Sequence, residues 1–453
     1  MKRFYWSLAI SLPILSFVFL ALEDPFNTPP IFVAPTDSQV KAYTEQDFEL
    51  PIEVEDIDHD IVEVNAYGLP EWMHFDAYHL KLYGRPAMED KNEYVITIKA
   101  TDGKVLRTKM LTVDVDYGHS VQQHFEDAFQ VLSKTYTDDI LSASAAVVTP
   151  EGKIHATTYG RSGYRKSATL TTDHQFRIAS VSKLFTATLI LKMAEQGYLG
   201  LDDKAIDYID MGTIPNRADI TIRQLLSHTA GIVDHLNHNA FYHGNWKSRK
   251  WTDQDIVNFA GKRSARFEPG EGYAYSNTGF YLLGMIIESV LKMPLEDAFE
   301  QWIFKPFQLE DTFFDDTSTR SKPIPMLAEN ARAYEYHLSS VGAAGAIVST
   351  PTDMARFGHA LYSGEIISPE WLDVMIENEG DKNGGDDYGL GTRLWDDYGI
   401  IHYGHTGLLM GYRAILLYMP EYKVTIAMAS NDLHGGWHNL VNSVMMEMAE
   451  YYR

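Results

Sequence analysis

Apolar and polar positions alternate through the first quarter of the chain. Phe48-Glu49-Leu50-Pro51-Ile52-Glu53-Val54, Ile61-Val62-Glu63-Val64, Tyr94-Val95-Ile96-Thr97-Ile98 and Met110-Leu111-Thr112-Val113-Asp114-Val115 step with a period of two, which turns one face of each segment toward a core. Gly84-Arg85-Pro86 and Thr101-Asp102-Gly103 punctuate these strands, and no helical stretch intervenes before about Asp116. The pattern predicts an all-β sandwich over residues 37–117.

After Gly118 the period changes. Residues 119–134 predict an amphipathic helix, and Ala143–Thr149 with Lys153–Tyr159 predict a hairpin around Pro150-Glu151-Gly152. From Ser182 to Gln196, the apolar positions Leu184, Phe185, Leu189, Leu191 and Met193 predict a well-buried helix that Gly197 ends. Arg413–Met419 and Lys423–Ser430 predict strands, followed by a helix from Trp437 to Tyr451. Strands near both ends with helices between them predict an α+β domain over 119–453, its sheet joining early and late segments.

The N-terminus predicts a compartment. Lys2 and Arg3 precede an apolar stretch from Phe4 to Leu22, long enough for a hydrophobic helix that crosses a bilayer. The basic residues stay cytoplasmic and send the remainder outward, into the periplasm in a Gram-negative cell. Residues 1–22 read as a signal anchor or signal peptide. The anchor is favoured, because Phe19 stands where a cleavage site before Ala21 wants a small residue. Residues 23–36 carry Pro25, Pro29, Pro30 and Pro35 and read as a linker.

Composition narrows the chemistry. A net charge of -24 over 453 residues argues against nucleic acid, which needs a basic face. With no cysteine, disulfides, thiolate metal sites and a cysteine nucleophile are excluded. Asp56, Asp58 and Asp60 form a weak calcium candidate, with a solvated acidic turn the favoured alternative. His228, His235, His238 and His243 cluster without the spacing of a helix-borne metal pair.

Three motifs supply the candidate site: Ser180-Val181-Ser182-Lys183, Tyr275-Ser276-Asn277 and His405-Thr406-Gly407. Ser-x-x-Lys recurs at Ser38 and Ser289, so the order of the three carries more weight than the first alone. Lys183 follows Ser180 by one helical turn and shares its face, placing an amine beside a hydroxyl nucleophile. A nearby Lys183 ammonium is expected to lower the Tyr275 phenol from about 10 and make it a base. Asn277 can hold Lys183 and a substrate amide. Gly407 lets a substrate backbone lie against a strand edge, and the amides of Ser180 and Leu408 can form an oxyanion hole. No cofactor is called for.

These motifs resemble the serine β-lactamase and penicillin-binding superfamily, specifically its class C β-lactamase-related group. Phe176-Arg177-Ile178-Ala179, Leu225-Leu226-Ser227-His228-Thr229-Ala230-Gly231, Phe267-Glu268-Pro269-Gly270, Ala344-Gly345-Ala346 and Tyr388-Gly389-Leu390-Gly391 extend the resemblance over about residues 120 to 450. It implies a β-lactamase/transpeptidase-like fold, an antiparallel sheet flanked by helices, with the site between sheet and helical lobe. It also implies Ser180 as nucleophile, Lys183 and Tyr275 sharing the proton work, Asn277 positioning substrate, and His405, Thr406 and Gly407 lining the strand edge. His405 departs from the lysine usual in class C β-lactamases, which removes a fixed positive charge at neutral pH. The implied activity is a D-alanyl-D-alanine carboxypeptidase-like peptidase or esterase acting on a small-molecule or peptide substrate, including the cell wall. A β-lactamase, or a penicillin-binding or peptidoglycan-binding receptor without turnover, is the alternative. Separately, Gly68-Leu69-Pro70-Glu71-Trp72-Met73, Leu82-Tyr83-Gly84-Arg85-Pro86 and Ala100-Thr101-Asp102-Gly103 resemble cadherin-like, immunoglobulin-like modules of bacterial surface proteins.

Overall fold

Period-two burial organises the first unit of the computed structural model, which describes residues 27–44, 46–116, 121–136, 142–162, 168–241, 249–315, 337–380, 387–409, 411–431 and 436–453. The expected N-terminal hydrophobic helix lies outside the described residues. The chain divides into two compact units at Ser120/Val121.

In the first unit, β1 (Ile31–Ala34) pairs with β4 (Glu53–Glu55). β2 (Gln39–Tyr43) runs parallel to β9 (Leu106–Asp116), which continues antiparallel through β8 (Glu93–Thr101) to β5 (Glu63–Tyr67). A second sheet is built from β3 (Phe48–Pro51), β7 (Lys81–Gly84) and β6 (Met73–Asp76). Alternate residues of β8 and β9, Ile96, Ile98, Leu111, Val113 and Val115, turn inward against Trp72, Met73 and Leu82. The run Phe48–Val54 is two strands in different sheets. Pro51 has no N–H to continue the ladder, and Ile52 turns inward, donating its own N–H to Leu80. The acidic segment is tied up internally. Asp56 accepts the N–H groups of Asp58 and Asp60, Asp58 accepts that of Thr28, and Lys104 pairs with Asp60. Among the described residues no group of acidic or histidine side chains is arranged to hold a metal.

The second unit centres on a six-stranded antiparallel sheet. Its order is β11 (Ile154–Tyr159), β10 (Ala143–Val148), β18 (Val424–Ser430), β17 (Tyr412–Met419), β16 (Ile400–Leu409) and β15 (Arg393–Asp397). Alternation along these strands feeds two cores. Ala145, Val147, Ile415, Leu417 and Ile426 pack under α1 (Val121–Tyr136) and α9 (Trp437–Tyr452). Ala146, Ala414, Leu416, Ala427 and Ala429 face the helical lobe. That lobe contains α2 (Ser182–Glu195), α3 (Ile222–Leu226), α4 (Asp253–Gly261), α5 (Asn277–Leu291), α6 (Leu295–Phe299), α7 (Pro351–Tyr362) and α8 (Pro369–Ile376). A small sheet of β12 (Phe176–Arg177), β14 (Ile347–Ser349) and β13 (Phe313–Phe314) leads into α2. Helix α2 is apolar on every side and buried along nearly its whole length, a rigid post under the candidate site.

Two local expectations shift. Ser180 lies in the 3-10 turn Ala179–Val181 that precedes α2, where Ala179 takes the left-handed φ of 51°. Helix α5 starts within the Tyr275-Ser276-Asn277 motif, at Asn277, because Ser276 caps it by accepting the Gly279 N–H.

Candidate active site

Strand β16 meets the Ser180 turn at contact distance because residue 407 is glycine. A Cβ there would stand 2.1 Å from the Ile178 carbonyl oxygen and 3.2 Å from the Ala179 Cβ. On the other side of the turn, the first turn of α2 points Lys183 at Ser180. The Lys183 amine lies 3.0 Å from Ser180 Oγ and donates to Asn277 Oδ1 at 2.8 Å and to the Ala344 carbonyl at 2.7 Å. Both carbonyl oxygens can only accept, so two protons of the amine are committed to them. The third position faces Ser180 and holds either a proton or the lone pair that could receive one. Burial draws Lys183 down from 10.5 to about 7, opposed by Asp234 and reinforced by Arg393. Near neutral pH the lone pair is therefore available.

Tyr275 behaves differently from the expectation. Its side chain is half-buried at the cavity and shares a hydrogen bond with Ser180, with its ring 5.0 Å from the Lys183 amine. Burial raises its proton affinity well above the ordinary value, outweighing the opposing effects of the Ser180 hydrogen bond and Arg393. A lysine that is itself being driven toward neutrality supplies no standing charge to reverse this. Tyr275 therefore stands as a neutral phenol, not a resident phenolate.

His405 faces the same space, 1% exposed. Its Nδ1 lies 2.6 Å from the Thr406 carbonyl, which fixes the proton there, so Nε2 accepts from the Tyr388 hydroxyl at 3.0 Å. Burial, with Arg393 and Lys183 nearby, keeps the ring neutral, its proton affinity held well below the usual histidine range. Arg393, at the start of β15, supplies a guanidinium 5.8 Å from the ring centroids of both Tyr275 and Tyr388. A cavity of about 420 Å³ opens over Ser180, Tyr275, Asn277, Arg393, His405 and Thr406, and Leu408 also lines it.

A lysine-primed serine, a phenol relay and a strand edge in one cavity is equipment for acyl transfer. The Beta-lactamase family profile matches residues 125–443. The chain belongs to the Beta-lactamase family. The Putative Ig domain profile matches residues 29–116, in accord with the first unit. Among curated relatives of this Beta-lactamase-family serine hydrolase is a penicillin-binding protein of Bacillus subtilis (strain 168), 28% identical over 336 residues, covering 68% of this chain and 72% of the relative. D-amino acid amidase from Ochrobactrum anthropi SV3 superposes with a TM-score of 0.64 at 25% identity, over 72% of this chain and 98% of the other. D-stereospecific amidohydrolase from Streptomyces sp. does so with a TM-score of 0.61 at 26% identity, over 71% and 98%.

Within this Beta-lactamase-family site, the structure gathers Ser180, Lys183, Tyr275, Asn277, His405, Thr406, Gly407 and Leu408 as the sequence grouped them. It adds residues that the motifs did not name. Asp234, 6% exposed, accepts both contacts of the Asn277 amide nitrogen at 2.9 and 3.2 Å, fixing which end of that amide meets Lys183. Arg393 returns a cation to a cavity from which His405 had removed one. No spacing in the sequence links either residue to the motifs. Ala344 and Tyr388 sit in segments that carried the resemblance, although their contacts were not foreseeable. Of the histidine cluster, His235 is a core residue bonded to Thr278 and the Ser340 carbonyl, and His243 lies outside the described residues. Phe241 stacks on Trp251 at 4.3 Å within a small core cluster, so both rings pack the fold.

Proposed function

We propose that the chain is a D-alanyl-D-alanine carboxypeptidase-like peptidase that also accepts small esters, with Ser180 as its nucleophile. The observation that carries the reading is the Lys183 amine, wholly buried, drawn to about 7 and 3.0 Å from Ser180 Oγ. Lys183 takes the hydroxyl proton as Ser180 Oγ bonds to the substrate carbonyl carbon. The backbone N–H groups of Ser180 and Leu408 meet the oxyanion, a contribution typically worth about 3 kcal/mol of barrier per donor. As the C–N bond breaks, the proton passes from Lys183 through the Tyr275 phenol to the leaving nitrogen. Water then adds to the acyl-enzyme, the same relay returns its proton to Ser180 Oγ, and the free acid departs. Asn277 holds the substrate amide, and Arg393 pairs with the carboxylate at the peptide's end.

Two neighbours named for D-amino acid amidase and D-stereospecific amidohydrolase activity support the stereochemical side of this reading. The substrate places the site outside the cytoplasm. A second reading, acylation by β-lactams, is favoured by Arg393, which offers their carboxylate the same cation. Release of D-alanine from a peptide ending in D-Ala-D-Ala, compared with its L,L counterpart and with the Ser180→Ala chain, tests the proposal. Equal cleavage of both peptides, or release that survives Ser180→Ala, refutes it. A stable benzylpenicillin adduct on Ser180 without D-alanine release would favour the second reading.

A further inference from the structure

Tyr275 occupies a stretch, residues 272–276, with no regular secondary structure of its own. A phenol oxygen lies at the end of a long lever, so a small rotation of such a backbone moves it far from Ser180. One residue from elsewhere in the chain, His228, holds this segment at two points. His228 follows α3 with a φ of 61°, a left-handed conformation uncommon outside glycine. Its carbonyl accepts the Ala274 N–H at 3.0 Å, and its Nδ1 accepts the Ser276 N–H at 3.1 Å. The backbone N–H groups of the two residues on either side of Tyr275 are thus pinned to the carbonyl and the ring of one histidine.

The imidazole also forms a wall. It is 2% exposed, with its ring centroid 4.2 Å from that of Tyr275 and 4.7 Å from that of Tyr388. Because the Ser276 N–H can only donate, Nδ1 carries no proton, and the neutral ring bears its hydrogen on Nε2. Nε2 is buried without a hydrogen-bond partner among the described residues.

We propose that His228 is a positioning residue that clamps the Tyr275 segment and sets the phenol against Ser180. The role rests on the reading of Ser180 and Tyr275 as the reacting pair, and adds to it the residue that preorganises them. Misplacement by about 1 Å costs on the order of a hundredfold in rate.

Three full-length chains test this: unaltered, His228→Leu and His228→Asn. Asparagine offers Oδ1 where histidine offers Nδ1 and tolerates the left-handed backbone. Intact mass follows phosphonylation of Ser180 by an alkyl fluorophosphonate, in which Oγ bonds to phosphorus and fluoride leaves. Turnover of p-nitrophenyl acetate gives kcat and KM. The expected result is a fall of about a hundredfold in labelling rate and kcat for His228→Leu with KM little changed, and recovery of most of the loss by His228→Asn. Rates that track the melting temperatures of both variants, without rescue by asparagine, would overturn the clamp and leave a packing residue. Unchanged rates in His228→Leu would overturn it too. Absence of labelling in the unaltered chain would instead fail the nucleophile assignment, and this role with it.

Discussion

Replacing Lys183 by methionine separates what the buried amine does for chemistry from what it costs the fold. The amine is wholly buried, and removal from water is the main reason it is drawn from 10.5 to about 7. Between those two values the native chain binds fewer protons than the unfolded chain, so this group makes stability rise with pH. Below about 7 both states carry the proton and the penalty is complete; above 10.5 neither does and it vanishes. At about 1.4 kcal/mol per pKa unit, the full excursion is on the order of 5 kcal/mol. The portion falling between about pH 6 and pH 9 is on the order of 3 kcal/mol. Methionine fills similar space but cannot serve Asn277 Oδ1 or the Ala344 carbonyl, so its absolute stability mixes several effects. The pH dependence isolates one. Urea unfolding of both chains should show the stability difference, Met variant minus unaltered chain, falling by on the order of 3 kcal/mol from about pH 6 to pH 9. Parallel pH profiles for the two chains would refute a lysine that is neutral in the native state near pH 7.

Other substitutions probe the surroundings of that amine. Asp234→Asn removes a charge that holds the Lys183 proton on, so the acidic limb of kcat/KM should move to lower pH; a limb that stays in place would break the link. Arg393→Gln should raise KM by about tenfold to a hundredfold for substrates ending in a free carboxylate, and far less for their amides, as initial rates on matched pairs would show. Gly407→Ala forces a Cβ to 2.1 Å from the Ile178 carbonyl, which should part β16 from the Ser180 turn and abolish fluorophosphonate labelling of Ser180.

Much of the architecture was legible in the hydrophobic pattern because the pattern is itself a packing constraint. The all-round apolar run of α2, the hairpin at Pro150-Glu151-Gly152 and the alternation of β8 and β9 each admit one burial solution. The motif residues were legible for a related reason, since Ser180 and Lys183 are placed by one short turn and helix start. The electrostatics were not. The direction of the Tyr275 shift depends on how many atoms surround it, and those come from segments distant in the chain. Asp234 reaches Asn277 across a loop, and Arg393 comes from the strand beside β16, with no local spacing to announce either. The division of Phe48–Val54 between two sheets hangs on one missing N–H at Pro51, which period-two reading does not weigh.

The register that pairs Ala143 with Ser430 has a temporal meaning. Strand β18 lies between β10 and β17 and is, among the described residues, the last strand to leave the ribosome. Until it emerges, the hairpin β10–β11 has no neighbour on its inner edge and is not joined to the β15–β16–β17 strands that carry the wall over Ser180. Closing so long a loop is entropically costly and slow compared with forming helices. A partly synthesised chain therefore carries the serine and lysine without the wall that completes their cavity. The candidate site is completed last, as the sheet closes.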